Sequence, residues 1–441
     1  MLSNKEMKRL MLVGVAGLLA NGVQAQGLGN SPYSRVGLGE FNSNVGGVRQ
    51  QGMGGVGLAA PNAVNVNELN PALLYYTNRT TFEAGYNGQY KTVKNASSSN
   101  RSGNATLGYL ALSVPLSTKW GAAVGLKPLS AVDYESNTIQ EVTGTPVLTQ
   151  VLKQYKGTGG VSEAYFGQGY HITKAFTVGF TASYVFGTID ETAGTTVQIA
   201  NSNAELIRSV DRTRTRYSDF AFRAGAHYRK KVGKGLNLNL AGVYGFGHKL
   251  KGEQAVTQEQ ENISGATISP PTPVRDERGS TYVPALTQVG ISFDNDKNWS
   301  INLDASQQQW SKFTSFGDKE IALRNTVRLG LGGEFTPDPG SVEHYFRRVT
   351  YRAGGNLAQL PYQPNGKALY DRSVSWGFAF PLPTATPLDA TTFSLAFTYG
   401  VRGNTDILNA AAGTSNVQEE YIRGQLGVTL NNRWFIKRRL Q

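Results

Sequence analysis

From about residue 78 to its end, this chain repeats a pattern that few folds can use. Segments of roughly ten residues alternate apolar with small or polar side chains, and the connections between them run long, short, long, short. FTVGFTASYVFG, residues 176–187, is the clearest case. Phe176, Val178, Phe180, Ala182, Tyr184 and Phe186 share one parity; Thr177, Gly179, Thr181 and Ser183 share the other. That is a strand with one oily face and one small, mostly polar face. TTFEAGYNGQYK, SDFAFRAGAHY, GLNLNLAGVYGFG, RVTYRAGGNL and TTFSLAFTYG repeat the theme, and the pattern predicts about fourteen strands.

The lengths of the connections decide what the oily faces touch. Long stretches rich in Ser, Thr, Asn, Gln and Gly fall near 127–161, 188–217, 248–281, 309–322, 359–372 and 402–419; short ones fall near 115–119, 173–175, 229–235 and 294–298. A β-sandwich has no reason to sort its loops this way, and a propeller would repeat at about 40 residues. A transmembrane antiparallel β-barrel needs this asymmetry, and strands of about nine to eleven tilted residues match the hydrocarbon thickness. Closure satisfies every backbone group where lipid offers no water. The expected fold is all-β, with Trp120, Tyr228, Trp299, Tyr399 and Trp434 as interfacial aromatics. The expected location is the bacterial outer membrane, with termini in the periplasm and long loops outside.

Composition agrees. Glycine (52), tyrosine (21) and phenylalanine (19) are abundant against 4 methionines, and a mean hydropathy of −0.31 is no obstacle, because only alternate barrel residues meet lipid. With no cysteine there is no disulfide, thiolate metal site or cysteine nucleophile. The net charge of +12 is spread over turns such as Tyr228–Lys231 and over the C-terminus, which reads as solvated rims; no nucleic-acid partner is expected. The four histidines, His171, His227, His248 and His344, are scattered and accompany no G-x-S-x-G, so neither catalysis, metal nor cofactor is expected.

The amino terminus breaks the pattern. Lys5, Lys8 and Arg9 precede the apolar run Leu10–Ala20 and a small-residue site at Val23-Gln24-Ala25, the layout of a cleaved signal peptide over 1–25. Residues 26–77 are rich in glycine and poor in charge, unlike a solvated linker. They suit a plug packed inside the lumen of a barrel formed by 78–441.

GVRQQGMGGVGLAAPNAVNVNELNPALLYY, residues 47–76, resembles the N-terminal hatch of the long-chain fatty-acid transporter (FadL/TodX) family. The resemblance rests on Arg49, the glycines Gly52, Gly54 and Gly55, and the run Asn70-Pro71-Ala72. SPYSRVGLGEF (31–41) and the terminal LGVTLNNRWFIKRRLQ resemble less characterised members of the same superfamily. The resemblance implies a fourteen-stranded barrel with a luminal hatch and uptake of hydrophobic or amphipathic molecules. It also implies a sideways exit at a kinked third strand, where this chain has Pro128. A proline there fits a break in the ladder or simply the end of the strand.

The inward positions depart from that family. Thr177, Thr181, Ser183, Asn237, Asn239, Thr398, Gln425 and Thr429 are polar, and Glu83, Arg223, Arg328, Glu334 and Arg352 are ionisable, whereas a fatty-acid site is mostly apolar. These charges are expected to brace the hatch. A neighbouring branch, the PorV-type component of type IX secretion, shares barrel and hatch but shuttles proteins. The alternative expectation is therefore a barrel in protein secretion or surface assembly with a protein partner. In either case the solvent is outer-membrane lipid.

Overall fold

The computed structural model describes residues 30–41, 46–145, 147–200, 206–262, 264–383, 390–409 and 414–432. Residues 1–25, read from sequence as a signal peptide, together with Trp434 and most of the terminal LGVTLNNRWFIKRRLQ motif, lie outside them. The fold is a closed antiparallel barrel of fourteen strands. They are β1 (Thr80–Lys94), β2 (Ser99–Ser117), β3 (Trp120–Glu141), β4 (Thr149–Thr173), β5 (Phe176–Ile199) and β6 (Ile207–Gly233). β7 runs as Leu236–Gly245 then His248–Asn262, and β8 as Thr267–Val283 then Leu286–Asp294. Next come β9 (Trp299–Gln308), β10 (Thr326–Phe335), β11 (Thr350–Gln359), β12 (Tyr370–Leu382), β13 (Ala390–Gly403) and β14 (Gln418–Asn432). β1 closes on β14 from Thr80↔Asn432 to Lys94↔Gln418.

The side-chain parity follows the sequence. On β5, Phe176, Phe180, Tyr184 and Phe186 are exposed outward while Thr177, Thr181, Ser183 and Val185 are buried inward. The same belt continues through Phe220, Phe222, Leu240, Tyr244, Ile301, Leu303, Leu329, Leu331, Trp376 and Leu426. So extensive an apolar surface on a closed barrel is what lipid covers.

The polar stretches 127–161, 188–217 and 248–281, expected as loops, are largely strand. β3, β4, β5 and β6 have 22, 25, 24 and 27 residues, about twice the length that crosses a bilayer. β9, β10 and β11 have 10 each. Beyond the lipid both faces of a ribbon are wet, so no oily parity marks it, and its backbone ladder holds it in register. The result is a tall wall on one side of the barrel.

Candidate functional site: the filled lumen

Residues 46–77 pack against the inward faces of the strands, and the sequence motif makes the contacts. Asn70 caps the 3-10 helix Pro71–Tyr76: its Oδ1 accepts from Ala72 N at 3.0 Å, and its Nδ2 donates to Leu58 O (3.1 Å) and Ala226 O (3.3 Å). The turn sits on bare backbone. A Cβ on Gly179 would lie 2.2 Å from Ala72 N, and one on Gly225 would lie 2.3 Å from Asn70 Oδ1.

The Gly52–Gly55 turn is seated in the same manner on the opposite strands. A Cβ on Gly332 or Gly354 would come within 2.1 or 2.2 Å of Met53 O. Arg328 Nη2 donates to the carbonyls of Gly54 (2.8 Å) and Gly55 (3.1 Å). Arg49, 3% exposed, donates to both oxygens of Glu334, its Nη2 at 2.6 Å, and Nη1 reaches Ala60 O. Arg352 Nε approaches the same carboxylate at 3.1 Å. Asp304 Oδ2 accepts from the backbone N–H of Gly57 (2.7 Å) and Leu58 (2.9 Å). The strand glycines and Asp304 are the partners that reading the motif alone missed. Small residues recurring at inward positions of adjacent segments were the available signal.

A second charged group joins the segment to β3 and its neighbours. Lys127 Nζ lies 3.3 Å from Glu163 and 3.6 Å from Glu68; Arg223 lies 3.7 Å from Glu163 and donates to Glu68 O. Burial raises the carboxyl pKa of Glu68, aided by Glu163 and opposed by Lys127 and by the Tyr165 hydroxyl. Of the five inward ionisable residues singled out from sequence, Glu83, Arg223, Arg328 and Glu334 bond directly to residues 46–77, and Arg352 acts through Glu334.

Toward the end with the long strands, residues 30–41 form a strap. Ser31 Oγ donates to Glu419 (2.6 Å), Tyr33 OH to Val417 O, and Tyr362 OH to Tyr33 O. Glu40 pairs with Arg402 at 2.6 Å, and Phe41 packs edge-on against Trp310. Burial works to raise the Glu40 carboxyl, but Arg402, Lys91 and Arg423 prevail and hold it near 2. Beneath the strap is a cavity of about 230 Å³.

The strap also touches an interrupted ladder in the wall; a shorter interruption lies between β6 and β7, where the pairs stop at Arg223↔Gly245 and resume at Tyr217↔Gly252. β2 and β3 pair from Ser117↔Trp120 only to Leu110↔Leu126. β2 continues along β1 to Ser99, and β3 continues along β4 to Glu141. Among the described residues no ladder pair joins Ser99–Tyr109 to Lys127–Glu141. Instead Glu40 and Phe41 pair with Ala131 and Ser130. Leu129, Ser130, Ala131 and Val132 are all buried, where a straight wall strand would alternate, so β3 bends into the lumen here. Pro128 stands at the bend. It is opposite Ser162 of β4, with a register shift immediately after it, and the strand runs on well past it.

The fold is that of the FadL/TodX-type channels. Solved structures with similar folds include the CymD monoaromatic hydrocarbon channel (18% identity, TM-score 0.53, 89% of this chain and 99% of that one). A FadL homologue of Pseudomonas aeruginosa matches at 13% identity and TM-score 0.55 over 90% and 100% of the two chains. The toluene transporter TodX of Pseudomonas putida matches at 15% and 0.53 over 90% and 100%. No curated protein sequence matches the chain. A family model, BamG, matches residues 7–441, and over that whole length the chain belongs to the BamG family.

Proposed function

We propose that this protein is an outer-membrane channel taking up small hydrophobic or amphipathic molecules, with residues 46–77 as its hatch. In this reading cargo leaves sideways through the gap between β2 and β3 above Leu126, beside Pro128. The interrupted β2–β3 ladder carries the proposal. In lipid an unpaired strand edge is costly, and a gap kept at that cost is explained by something passing through it. The hydrocarbon and toluene channels of like fold support the same direction by analogy.

The chain has no cysteine, so a clasp across the gap is clean to engineer. Leu107→Cys with Leu129→Cys, joined by a short bis-maleimide, should abolish toluene uptake into proteoliposomes. The uncross-linked double variant should retain it. Undiminished uptake through a fully cross-linked barrel would refute the sideways route.

A second reading, a role in protein secretion or surface assembly, draws on the tall wall of β3–β6, which exceeds any need of a pore and offers a protein-sized face. Native mass spectrometry of the barrel, gently extracted from its own membrane, separates the two. A bound amphiphile favours uptake; a stoichiometric protein partner with an empty lumen favours assembly.

A further inference from the structure

We infer that the cavity under the strap is a binding site for a small amphipathic anion, of the size and kind of an aromatic carboxylate. The inference rests on the uptake reading for its physiological meaning and deepens it. One side of the cavity is apolar and aromatic: Phe41, Trp310, Phe313 and Leu323 form a cluster there. The other side is ionic. Three guanidinium groups line it, Arg328, Arg402 and Arg423, against two carboxylates, Glu40 and Asp371. Both carboxylates are bound to Arg402, at 2.6 and 3.0 Å, which leaves the lining one positive charge in excess.

Arg423 is where that excess is presented. Its Nε donates to the amide oxygen of Gln89 at 2.8 Å and its guanidinium lies over the Tyr421 ring. No carboxylate lies within ion-pair distance of it among the described residues. A guanidinium that lines a cavity opposite an aromatic wall, with no carboxylate of the protein paired to it, fits an anionic head group on an aromatic ring. Size sets the other limit. A cavity of about 150 Å³ holds a benzene ring. The 230 Å³ here is enough for one ring with a carboxylate.

The probes are benzoate, toluene and hexadecanoate, and the sample is the whole barrel in lipid nanodiscs, measured by equilibrium dialysis. Benzoate should bind saturably at one site. Arg423→Gln should weaken it at least tenfold and Arg423→Lys less, while toluene binding is unmoved by both. Heat-modifiable mobility on gels reports folding of each variant; if Arg423→Gln fails to fold, Arg423→Lys decides. Absence of saturable benzoate binding to the folded parent, or equal binding by the folded variants, overturns the assignment, as does tighter binding of hexadecanoate. The two readings fail separately. Toluene flux sensitive to the cross-link without benzoate binding removes this site and leaves uptake standing. Benzoate binding sensitive to Arg423 without flux of any probe does the reverse.

Discussion

Arg49 and Glu334 are 285 residues apart in sequence, yet the guanidinium of one is bonded to both carboxylate oxygens of the other. Both are largely buried, and Arg352 completes the group. Removing Arg49 leaves Glu334 with one cation in a place that water reaches poorly. Arg49→Ala should therefore loosen the hatch by roughly 3 kcal/mol, the lower end for breaking a buried pair. Limited proteolysis within 46–77 would reveal it; an unchanged digestion pattern would show that the pair does not hold the hatch.

The glycine seats predict a steric counterpart. Gly354→Val places carbon where Met53 O now lies, and Gly179→Val does the same to the Asn70-Pro71-Ala72 turn. Overpacking of this kind costs about 1–3 kcal/mol. The expected outcome is a closed barrel with a displaced hatch: unchanged strand content by circular dichroism, with higher ion conductance in planar bilayers. Conductance equal to that of the parent would count against the seats.

Asn70→Ala removes the cap on Ala72 N and two further bonds. Loss of a cap costs about 0.5–2 kcal/mol, and the effect should be confined to the hatch. Hydrogen exchange should quicken over 57–77 and not in β9–β12.

Phe180 lies at the middle of the oily belt, stacked on Phe222. Phe180→Arg should lower barrel stability in lipid by about 2–4 kcal/mol, measured by reversible urea unfolding in vesicles. Thr181→Arg tests the opposite face, where the penalty is steric and the lumen supplies the partners.

Glu40 predicts a dependence on pH. Its folded pKa, near 2, is below the ordinary 4.5, so its contribution to holding the strap is complete above about pH 4.5 and fades as the pH falls toward 2. Glu68 has the opposite sign: its raised carboxyl favours the docked hatch at low pH and loses that favour as the pH rises through the folded value. Strap protection by hydrogen exchange should fall on acidification in the parent. In Glu40→Gln it should already be low at pH 7, leaving only the Glu419 carboxyl bonded to Ser31 to titrate; a parent-like profile in that variant would exclude Glu40 as the group responsible.

The barrel was legible because lipid imposes a strict parity, and FTVGFTASYVFG displays it without exception on its outward face. The inward packing of 46–77 was foreshadowed by its glycines and by Asn70-Pro71-Ala72, which are the residues that meet the strands. The ribbons above the lipid were not, since a strand wet on both faces carries no alternation; TTVQI (195–199) reads as loop and pairs as strand. The bend at Pro128 was visible only as a proline in a strand pattern. That β3 continues past it, while its partner on one side departs, depends on Glu40 and Phe41 from a segment about ninety residues earlier. The cavity was hidden for the same reason: Phe41, Trp310 and Arg423 meet only once the barrel is closed.

Closure itself has a further meaning for how the molecule assembles. The β1–β14 ladder joins the two ends of the barrel sequence, and Glu83 stands within it. That carboxylate accepts from Asn65 Nδ2 (2.7 Å) and Val66 N (3.2 Å) of the hatch and from Thr429 Oγ1 (3.2 Å) of the final strand. Asn65 Nδ2 also reaches Thr429 Oγ1. Residues 65 and 66 are thus bonded across the seam of the cylinder, to its first strand and to its last, so the filling of the lumen and the closing of the wall share the same hydrogen bonds.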